Sequence, residues 1–355
     1  MRSEPSGFAA AFSPDGKTLA LSTRRISFVD VETGTRHDGG HTSMITSARF
    51  TADGKYVLTT STDGTFRQWN PATGKQVRPL KLPAGVSQVL AVSADDATVA
   101  GKHEEEGIVL WDRDSAEVKA TFGKDEGQPV SAAFSPAGDL LATAGPDAIR
   151  VWDTSELKIR QSWKYEQTDH GPVDNIHLQF GEIAFVGDGP QLAAAFPAKY
   201  RIAVYNMQQD SPERILVGAR SLFWSPFALS PDGSALAYAG GDRVALWNPK
   251  TGRDGVPMQG RFSSITSIAY SADGKLVAAG GQEMISQHES KNVIRVWSSA
   301  TGRELLELNG HHEWIHCLAF SPSGEKLVSG SQDATLLVWG IQEARSTVAK
   351  ESNEE

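Results

Sequence analysis

Few side chains in this sequence are of a type and spacing that could do chemistry. His103 is followed directly by Glu104, Glu105 and Glu106, donors that could hold a cation. Neighbouring glutamates on an exposed turn are ordinarily solvated charge, and the run reads that way. His311 and His312 adjoin, and consecutive side chains in a strand or turn point apart, so they do not share a metal. The one cysteine, Cys317, excludes an internal disulfide framework and a multi-thiolate metal site. Set in the apolar run IHCLAF (Ile315–Phe320), it reads as a buried, inert thiol rather than a nucleophile. GxSxG, a Gly-rich phosphate loop, HExxH, CxxC and a DxDxDG calcium loop are all missing from the sequence. We therefore expect no catalytic residue, no cofactor and no metal. A formal charge of −9 argues against a nucleic-acid partner, because phosphate contacts need a basic footprint. The opening residues MRSEPSGFAAAF lack the apolar run of a signal peptide, and no later stretch is long and apolar enough for a bilayer. The expected location is cytoplasmic, without a membrane partner.

The elements that carry these side chains repeat. FSPDGKTLA (Phe12–Ala20) returns as FTADGKYVL, FSPAGDLLA, LSPDGSALA, YSADGKLVA and FSPSGEKLV, with degraded copies VSADDATVA and FVGDGPQLA. A second signature follows each copy: ISFVD, FRQWN, IVLWD, IRVWD, IAVYN, VALWN, IRVWS and LLVWG. The ends of these segments, from Asp30 to Gly340, are spaced 40, 42, 41, 53, 42, 50 and 42 residues apart. A period near 42 with two insertions marks a repeat architecture. ITSARF, ITSIAY and IHCLAF alternate apolar and polar residues as half-buried strands do. SPDG and SADG are turns: Pro presets φ, Asp bonds nearby backbone and Gly accepts positive φ. The LA and LVAAG runs are second strands, IRVW-type runs are third strands, and threonine–glycine pairs turn the chain into a fourth, more polar one. No segment shows sustained helical periodicity, so the fold class is all-β, built of four-stranded antiparallel blades. One such unit cannot cover both its faces; stacking units radially buries each sheet against the next and leaves only short edges.

The DG turn, the strand ending in WD and the Gly–His pairs Gly40–His41 and Gly310–His311 resemble the WD-repeat β-propellers. The compact FSPDGK form looks especially like bacterial members. This resemblance covers roughly residues 8 to 340 and speaks to fold far more than to function. It implies a buried hydrogen-bonded tetrad in two repeats: His41, Thr59, Asp63 and Trp69, and His311, Ser329, Asp333 and Trp339. The histidine would link the aspartate to the hydroxyl, and the hydroxyl would link to the indole. The fourth repeat keeps Thr143, Asp147 and Trp152 without a matching histidine. A net hydrogen bond contributes about 0.5–1.5 kcal/mol, whereas burying a Trp removes roughly 150–250 Å² from water, about 4–6 kcal/mol. Trp stands at this place in six repeats, with Val29 and Tyr205 in the other two, so packing outweighs polar tying. The tetrad histidines and aspartates read as structural, not catalytic.

Eight strand triplets imply eight blades, with seven as the alternative, over a single propeller spanning residues 1–349. The closing strand would come from Ile341–Ala349 or from the residues before Phe8. Residues 350–355, KESNEE, read as a short charged disordered tail. Three stretches depart from the base repeat: Lys102–Gly107 (KHEEEG), Tyr165–Gln179 and Gln282–Asn292, each with more acid than base. The resemblance places the second between blades and the other two between second and third strands, loop classes that share one face. Loops on a rigid scaffold are where binding tends to reside. Of the tryptophans outside the repeat's own place, Trp224 reads as core. Trp163 and Trp314 are candidates for contact, since Trp buries a large area with few torsions. The candidate partner-binding face is therefore Glu104, Glu105, Glu106, Trp163, Tyr165, Asp169, Met284, His288, His312 and Trp314. The expected function is a monomeric, non-catalytic scaffold that holds a protein or peptide, a basic one given the acidic insertions. The alternatives are a propeller enzyme of lactonase or hydrolase type, and the regulatory propeller of a larger polypeptide.

Overall fold

A computed structural model describes residues 9–354, apart from 23–25, 44, 52, 62, 146, 165–182, 187–190, 197–200, 211, 218–225, 287–288 and 334. Its strands fall into eight sheets in chain order. Blade 1 is β1 (Ala9–Phe12), β2 (Thr18–Ser22), β3 (Ile26–Asp30) and β4 (Arg36–Gly39). Blade 2 is β5 (Ile45–Phe50), β6 (Val57–Ser61), β7 (Phe66–Asn70) and β8 (Lys75–Leu80). Blade 3 is β9 (Val86–Val92), β10 (Thr98–His103), β11 (Gly107–Asp112) and β12 (Val118–Phe122). Blade 4 is β13 (Ser131–Phe134), β14 (Leu140–Ala144), β15 (Ala148–Asp153) and β16 (Ile159–Lys164). Blade 5 is β17 (Ile183–Phe185), β18 (Gln191–Phe196), β19 (Arg201–Asn206) and β20 (Pro212–Val217). Blade 6 is β21 (Phe227–Leu229), β22 (Leu236–Ala239), β23 (Val244–Asn248) and β24 (Arg253–Asp254). Blade 7 is β25 (Ser264–Tyr270), β26 (Leu276–Ser286), β27 (Glu289–Ser298) and β28 (Glu304–Asn309). Blade 8 is β29 (Ile315–Phe320), β30 (Lys326–Ser331) and β31 (Leu336–Gly340), followed by α1 (Gln342–Glu354). Each strand pairs antiparallel with the next, and the fold is an eight-bladed β-propeller.

The turns between first and second strands are built as the sequence implies, with one addition. In blade 6, Gly233 takes φ +63 and the Asp232 carboxylate accepts from the Ser230 hydroxyl at 2.7 Å and the Ser234 amide at 3.0 Å. Those bonds, the serine's first, hold the Asp232 carboxyl at about 2. The Ser230 hydroxyl also accepts from the Ala235 amide at 2.9 Å, and Ser13, Ser93, Ser135, Ser271 and Ser321 do the same in their blades. The serine ahead of the turn is thus a working part of it. Its recurrence in the repeats was the signal.

The blades fall into two compact units: blades 1, 2, 6, 7 and 8 form one, and blades 3, 4 and 5, with residues 64–66 and 80, the other. In both, the large residue near the end of the third strand packs on the preceding blade. In the first unit, Trp69 joins Phe28 and Ile26 of blade 1, and Trp297 joins Leu246 and Val244 of blade 6. In the second, Trp152 joins Leu110 and Ile108 of blade 3.

The segment after β31 departs from expectation. Ile341–Ala349 does not supply a closing strand; it enters helix α1, which continues to Glu354 through most of the expected charged tail. Ile341, Ala344 and Val348, at helical spacing, are 0%, 1% and 6% exposed and pack with Leu276, Ile294 and Val296 of blade 7. Three small or medium apolar residues in a polar stretch are a weak periodic signal, which is why the helix was missed.

Both expected tetrads are assembled. His41 Nε2 lies 2.6 Å from Thr59 Oγ1 and its Nδ1 lies 3.0 Å from Asp63 Oδ2, while the Trp69 indole donates to Thr59 Oγ1 at 2.7 Å. In blade 8 the matching distances are 2.7 Å from His311 to Ser329, 3.2 Å from His311 to Asp333 and 2.8 Å from Trp339 to Ser329. In blade 4, Trp152 still donates to Thr143 at 2.9 Å, but Asp147 pairs instead with Arg150 at 2.7 Å. Burial holds His41 below the usual imidazole value, against the opposing pull of Asp63, so the ring is neutral. A neutral ring that donates from Nδ1 to the carboxylate accepts the threonine hydroxyl at Nε2. By contrast, the Trp111 and Trp247 indole nitrogens are buried without a hydrogen-bond partner, so those two side chains hold by packing alone.

Two outcomes follow. Trp69→Phe and Trp111→Phe lose similar volume, but the first also removes the donor to the buried Thr59 Oγ1; urea unfolding should show it to be the more destabilising by about 1–3 kcal/mol. Because His41 binds its proton less readily folded than unfolded, its contribution is present above its unfolded value of 6.5 and is lost as pH falls through the folded one. Melting temperature should therefore drop between about pH 7 and about pH 5, and His41→Asn should reduce that drop. An unchanged drop would place the proton uptake elsewhere.

Candidate interaction surface

Three loops of the second unit are tied together at one end of blades 3 and 4. The β10–β11 turn carries Glu104, Glu105 and Glu106, and it closes because Gly107 takes φ +85 with the Gly123 carbonyl only 2.5 Å from where a Cβ would stand. His103 Nδ1 accepts the amides of Glu105 at 3.2 Å and Glu106 at 3.1 Å, which fixes the turn and leaves the ring a structural acceptor rather than a ligand. Gln128, from the β12–β13 connection, donates to the Glu104 carbonyl at 3.3 Å, and Lys124 of the same connection lies 3.4 Å from Glu106. Glu126 in turn meets Arg150 of β15 at 2.9 Å, and Arg150 meets Asp147 at 2.7 Å. Glu104, Glu105 and Asp125 are exposed, and no ion pair is formed by them among the described residues. The result is a hydrogen-bonded loop cluster with carboxylates in excess, able to hold a cationic side chain.

The insertion in blade 7 is ordered as strand, not as an irregular loop. β26 and β27 extend their ladder past Gln282↔Asn292 to Ser286↔Glu289. Near the tip of this hairpin Met284 is 64% and Ile285 56% exposed. Its base is braced by Arg295, whose side chain is 6% exposed and lies 2.9 Å from Glu283, 3.2 Å from Glu304 and 3.1 Å from Glu307. Lys291 adds pairs of 3.1 Å to Glu283 and 2.7 Å to Glu307. Hydrogen bonding, first from Lys291, holds the Glu307 carboxyl at about 2, whereas burial pushes Glu304 up. Arg295 also donates to the Arg261 carbonyl at 2.6 Å and lies 5.2 Å from the Phe262 ring. Sequence reasoning passed over Arg295 because an arginine in IRVW looks like an outward-facing strand residue.

Trp163 does not belong on a binding face. It is 2% exposed in the core of blades 4 and 5, its ring 4.9 Å from Tyr205 and its indole donating to the Gln209 carbonyl at 2.8 Å. Blade 5 has Tyr205 where six other blades have Trp, and the indole from β16 helps fill that layer. His312 is exposed, with its amide donating to Asp333 at 2.9 Å, and Trp314 is half-buried. Tyr165, Asp169, His288 and Trp224 lie outside the described residues. Cys317 is 8% exposed, and burial pushes its thiol up to about 11, as suits an inert core sulfur. No helix among the described residues is long and apolar enough to cross a membrane, and no cluster of metal-ligand side chains occurs among them.

Comparison with known proteins agrees with the fold. The family model for the WD domain, G-beta repeat, matches residues 34–70, 117–153, 257–298 and 302–340. Each match runs from about the fourth strand of one blade to the third strand of the next, so the chain is a β-propeller that carries WD40 repeats. It is 25% identical over 284 residues to periodic tryptophan protein 2 of Arabidopsis thaliana, covering 76% of this chain and 27% of that protein. It is 26% identical over 159 residues to the U3 small nucleolar RNA-associated protein 15 homolog of Xenopus tropicalis, covering 43% and 30%. It is 28% identical over 130 residues to the small ribosomal subunit protein RACK1y of Oryza sativa subsp. japonica, covering 36% and 38%. The matched region thus spans less than two fifths of each of these relatives. They come from plants and an amphibian, and no bacterial counterpart of the FSPDGK form stands among them. The crystal structure of the computationally designed Ika8 protein superposes with a TM-score of 0.72 at 22% identity, over 96% of this chain and 98% of that one, and shows the same fold.

The blade 7 network gives a direct test. Arg295→Leu would leave three carboxylates facing one lysine, and urea unfolding should show a loss of about 3–5 kcal/mol. Adding Glu304→Gln should recover part of it.

Proposed function

We propose that this chain is a non-catalytic WD-repeat scaffold that holds a protein segment rich in lysine and arginine. The observation that carries this reading is the braced loop cluster of blades 3 and 4, where Glu104, Glu105 and Asp125 stand exposed on turns fixed by Gln128, Lys124 and Arg150. A turn whose backbone is already fixed presents its carboxylates close together, and their field speeds encounter with a basic segment. The names of the relatives support a place in larger assemblies: one is a small ribosomal subunit protein, another is associated with the U3 small nucleolar RNA. The formal charge of −9 favours a protein rather than a nucleic acid as the direct contact.

Pull-down on immobilised protein, with a basic peptide library and with lysate, tests the reading. Charge reversal of Glu104, Glu105 and Glu106 to lysine should lower recovery of basic partners about tenfold or more at low salt, and the difference should shrink as salt rises. Unchanged recovery with the reversed turn would overturn the assignment.

A further inference from the structure

In the first unit, the turns between first and second strands of neighbouring blades meet in pairs. A Cβ built on Gly54 of blade 2 would stand 2.8 Å from Pro14 of blade 1, and one on Gly16 of blade 1 would stand 3.4 Å from Pro322 of blade 8. Between blades 6 and 7 the same contact, Gly274 on Pro231, opens to 3.6 Å, and a cavity of about 500 Å³ lies between the two turns. Blade 7 has Ala272 in place of the proline, and there a side chain fills the gap to blade 8. Arg345 of α1 lies where a Cβ on Gly324 would go, and its guanidinium meets the Asp273 carboxylate at 3.3 Å.

The cavity between blades 6 and 7 repeats that seat one blade back. Asp232 holds the place of Asp273, and Gly274 that of Gly324. Leu246, which lines the cavity, holds the place of Val296, which packs with the apolar stripe of α1. No arginine is among the lining residues. Asp232 uses Oδ1 for its bonds to Ser230 and Ser234, and its Oδ2 makes no hydrogen bond or ion pair among the described residues. The same cavity holds a second group without a partner. Five repeats end the first strand in Phe12, Phe50, Phe134, Phe185 and Phe320, but blade 7 has Tyr270. Its hydroxyl is buried and makes no hydrogen bond. Burial, with the Asp232 charge adding to it, pushes the phenol up, so the group stays protonated. A protonated phenol oxygen still accepts an N–H.

We infer that this cavity takes the side chain of an arginine borne by another protein, held by Asp232 and Tyr270 as Arg345 is held by Asp273. The alkyl stem has Leu246 and Ala235 to lie on, and the guanidinium has a carboxylate oxygen and a phenol oxygen to donate to. A planar fork of donors serves two acceptors at once, which the single ammonium of lysine does less well. Lys275 is the one cation among the lining residues, and its ammonium makes no ion pair among the described residues. Its charge opposes the arginine and sets a limit on affinity. The site shares no residue with the acidic loop cluster, so either assignment can fail without the other.

The test follows the full chain by NMR as acetyl-Gly-Arg-Gly-amide is added. The same tripeptide with citrulline or lysine in place of arginine, and free arginine, are titrated beside it. The arginine tripeptide should give saturable shifts at Ser234, Tyr270 and Gly274. The citrulline form should bind about tenfold more weakly, the lysine form more weakly than the arginine one, and free arginine no more tightly than the tripeptide. Asp232→Asn, which keeps the oxygen that Ser230 and Ser234 use, should weaken binding about tenfold. Tyr270→Phe should weaken it about threefold without lowering the melting temperature, since it removes an unpartnered hydroxyl. Lys275→Ala should tighten it about twofold, and Arg345→Ala should leave the Tyr270 shifts as they are. Several results would overturn the inference: no saturable shift, equal binding by the citrulline or lysine form, or tighter binding of free arginine. Binding indifferent to both Asp232→Asn and Tyr270→Phe, or shifts confined to Gly324 as the tripeptide displaces Arg345, would do the same.

Discussion

The contact on which the rest of the structure depends is the large side chain near the end of the third strand, pressed within each unit onto the sheet before it. Trp69, Trp152 and Trp297 each join the core of the preceding blade within their units. Burial of an indole is worth several times a net hydrogen bond, roughly 4–6 against 0.5–1.5 kcal/mol. This explains why Trp111 and Trp247 persist with their indole nitrogens unpartnered. It also explains why polar ties are dispensable: the full tetrad is made in blades 2 and 8, while blade 4 retains only the threonine–indole link and sends its aspartate to an arginine.

A frame held by packing leaves its turns free to carry charge. Both surfaces described here spend buried arginine on bracing. Arg150 sits between Asp147 and Glu126 under the acidic turn, and Arg295 sits among Glu283, Glu304 and Glu307 under the blade 7 hairpin. These are the same third-strand position, two residues before the tryptophan. In blade 2 that position is Arg67, which lies 3.6 Å from Asp63 and 6.0 Å from the Trp69 ring. The repeat thus offers a site from which a guanidinium can organise whatever loop lies beyond it.

Much of the fold was legible because its determinants are local and repeated. The DG turns, the alternating strands and the spaced tryptophans fix blade number and strand order, and the residue-by-residue likeness to a known family located the tetrads. What was illegible depends on relations between blades or on weak patterns. Trp163 read as surface because it lies outside the repeat's own tryptophan place, yet its neighbour Tyr205 had left room for it. Arg295 read as an ordinary strand residue because its three glutamates are 9 to 12 positions away in sequence. Helix α1 was invisible because Ile341, Ala344 and Val348 become an apolar stripe only against blade 7. Of the candidate contact residues, the acidic turn could be placed from sequence, since an insertion between second and third strands has only one place to go.

The burial of Cys317 gives blade 8 a built-in reporter. As the only sulfhydryl in the chain, 8% exposed and with its thiolate disfavoured by burial, it meets an alkylating reagent only when the sheet around β29 opens. The rate at which such a reagent consumes it, at reagent excess, therefore measures how often that blade breathes, without any label being introduced. It also means that a cysteine placed elsewhere on the surface would react far ahead of the native one, so that a dye or spin probe can be attached to a single chosen position on the otherwise natural chain.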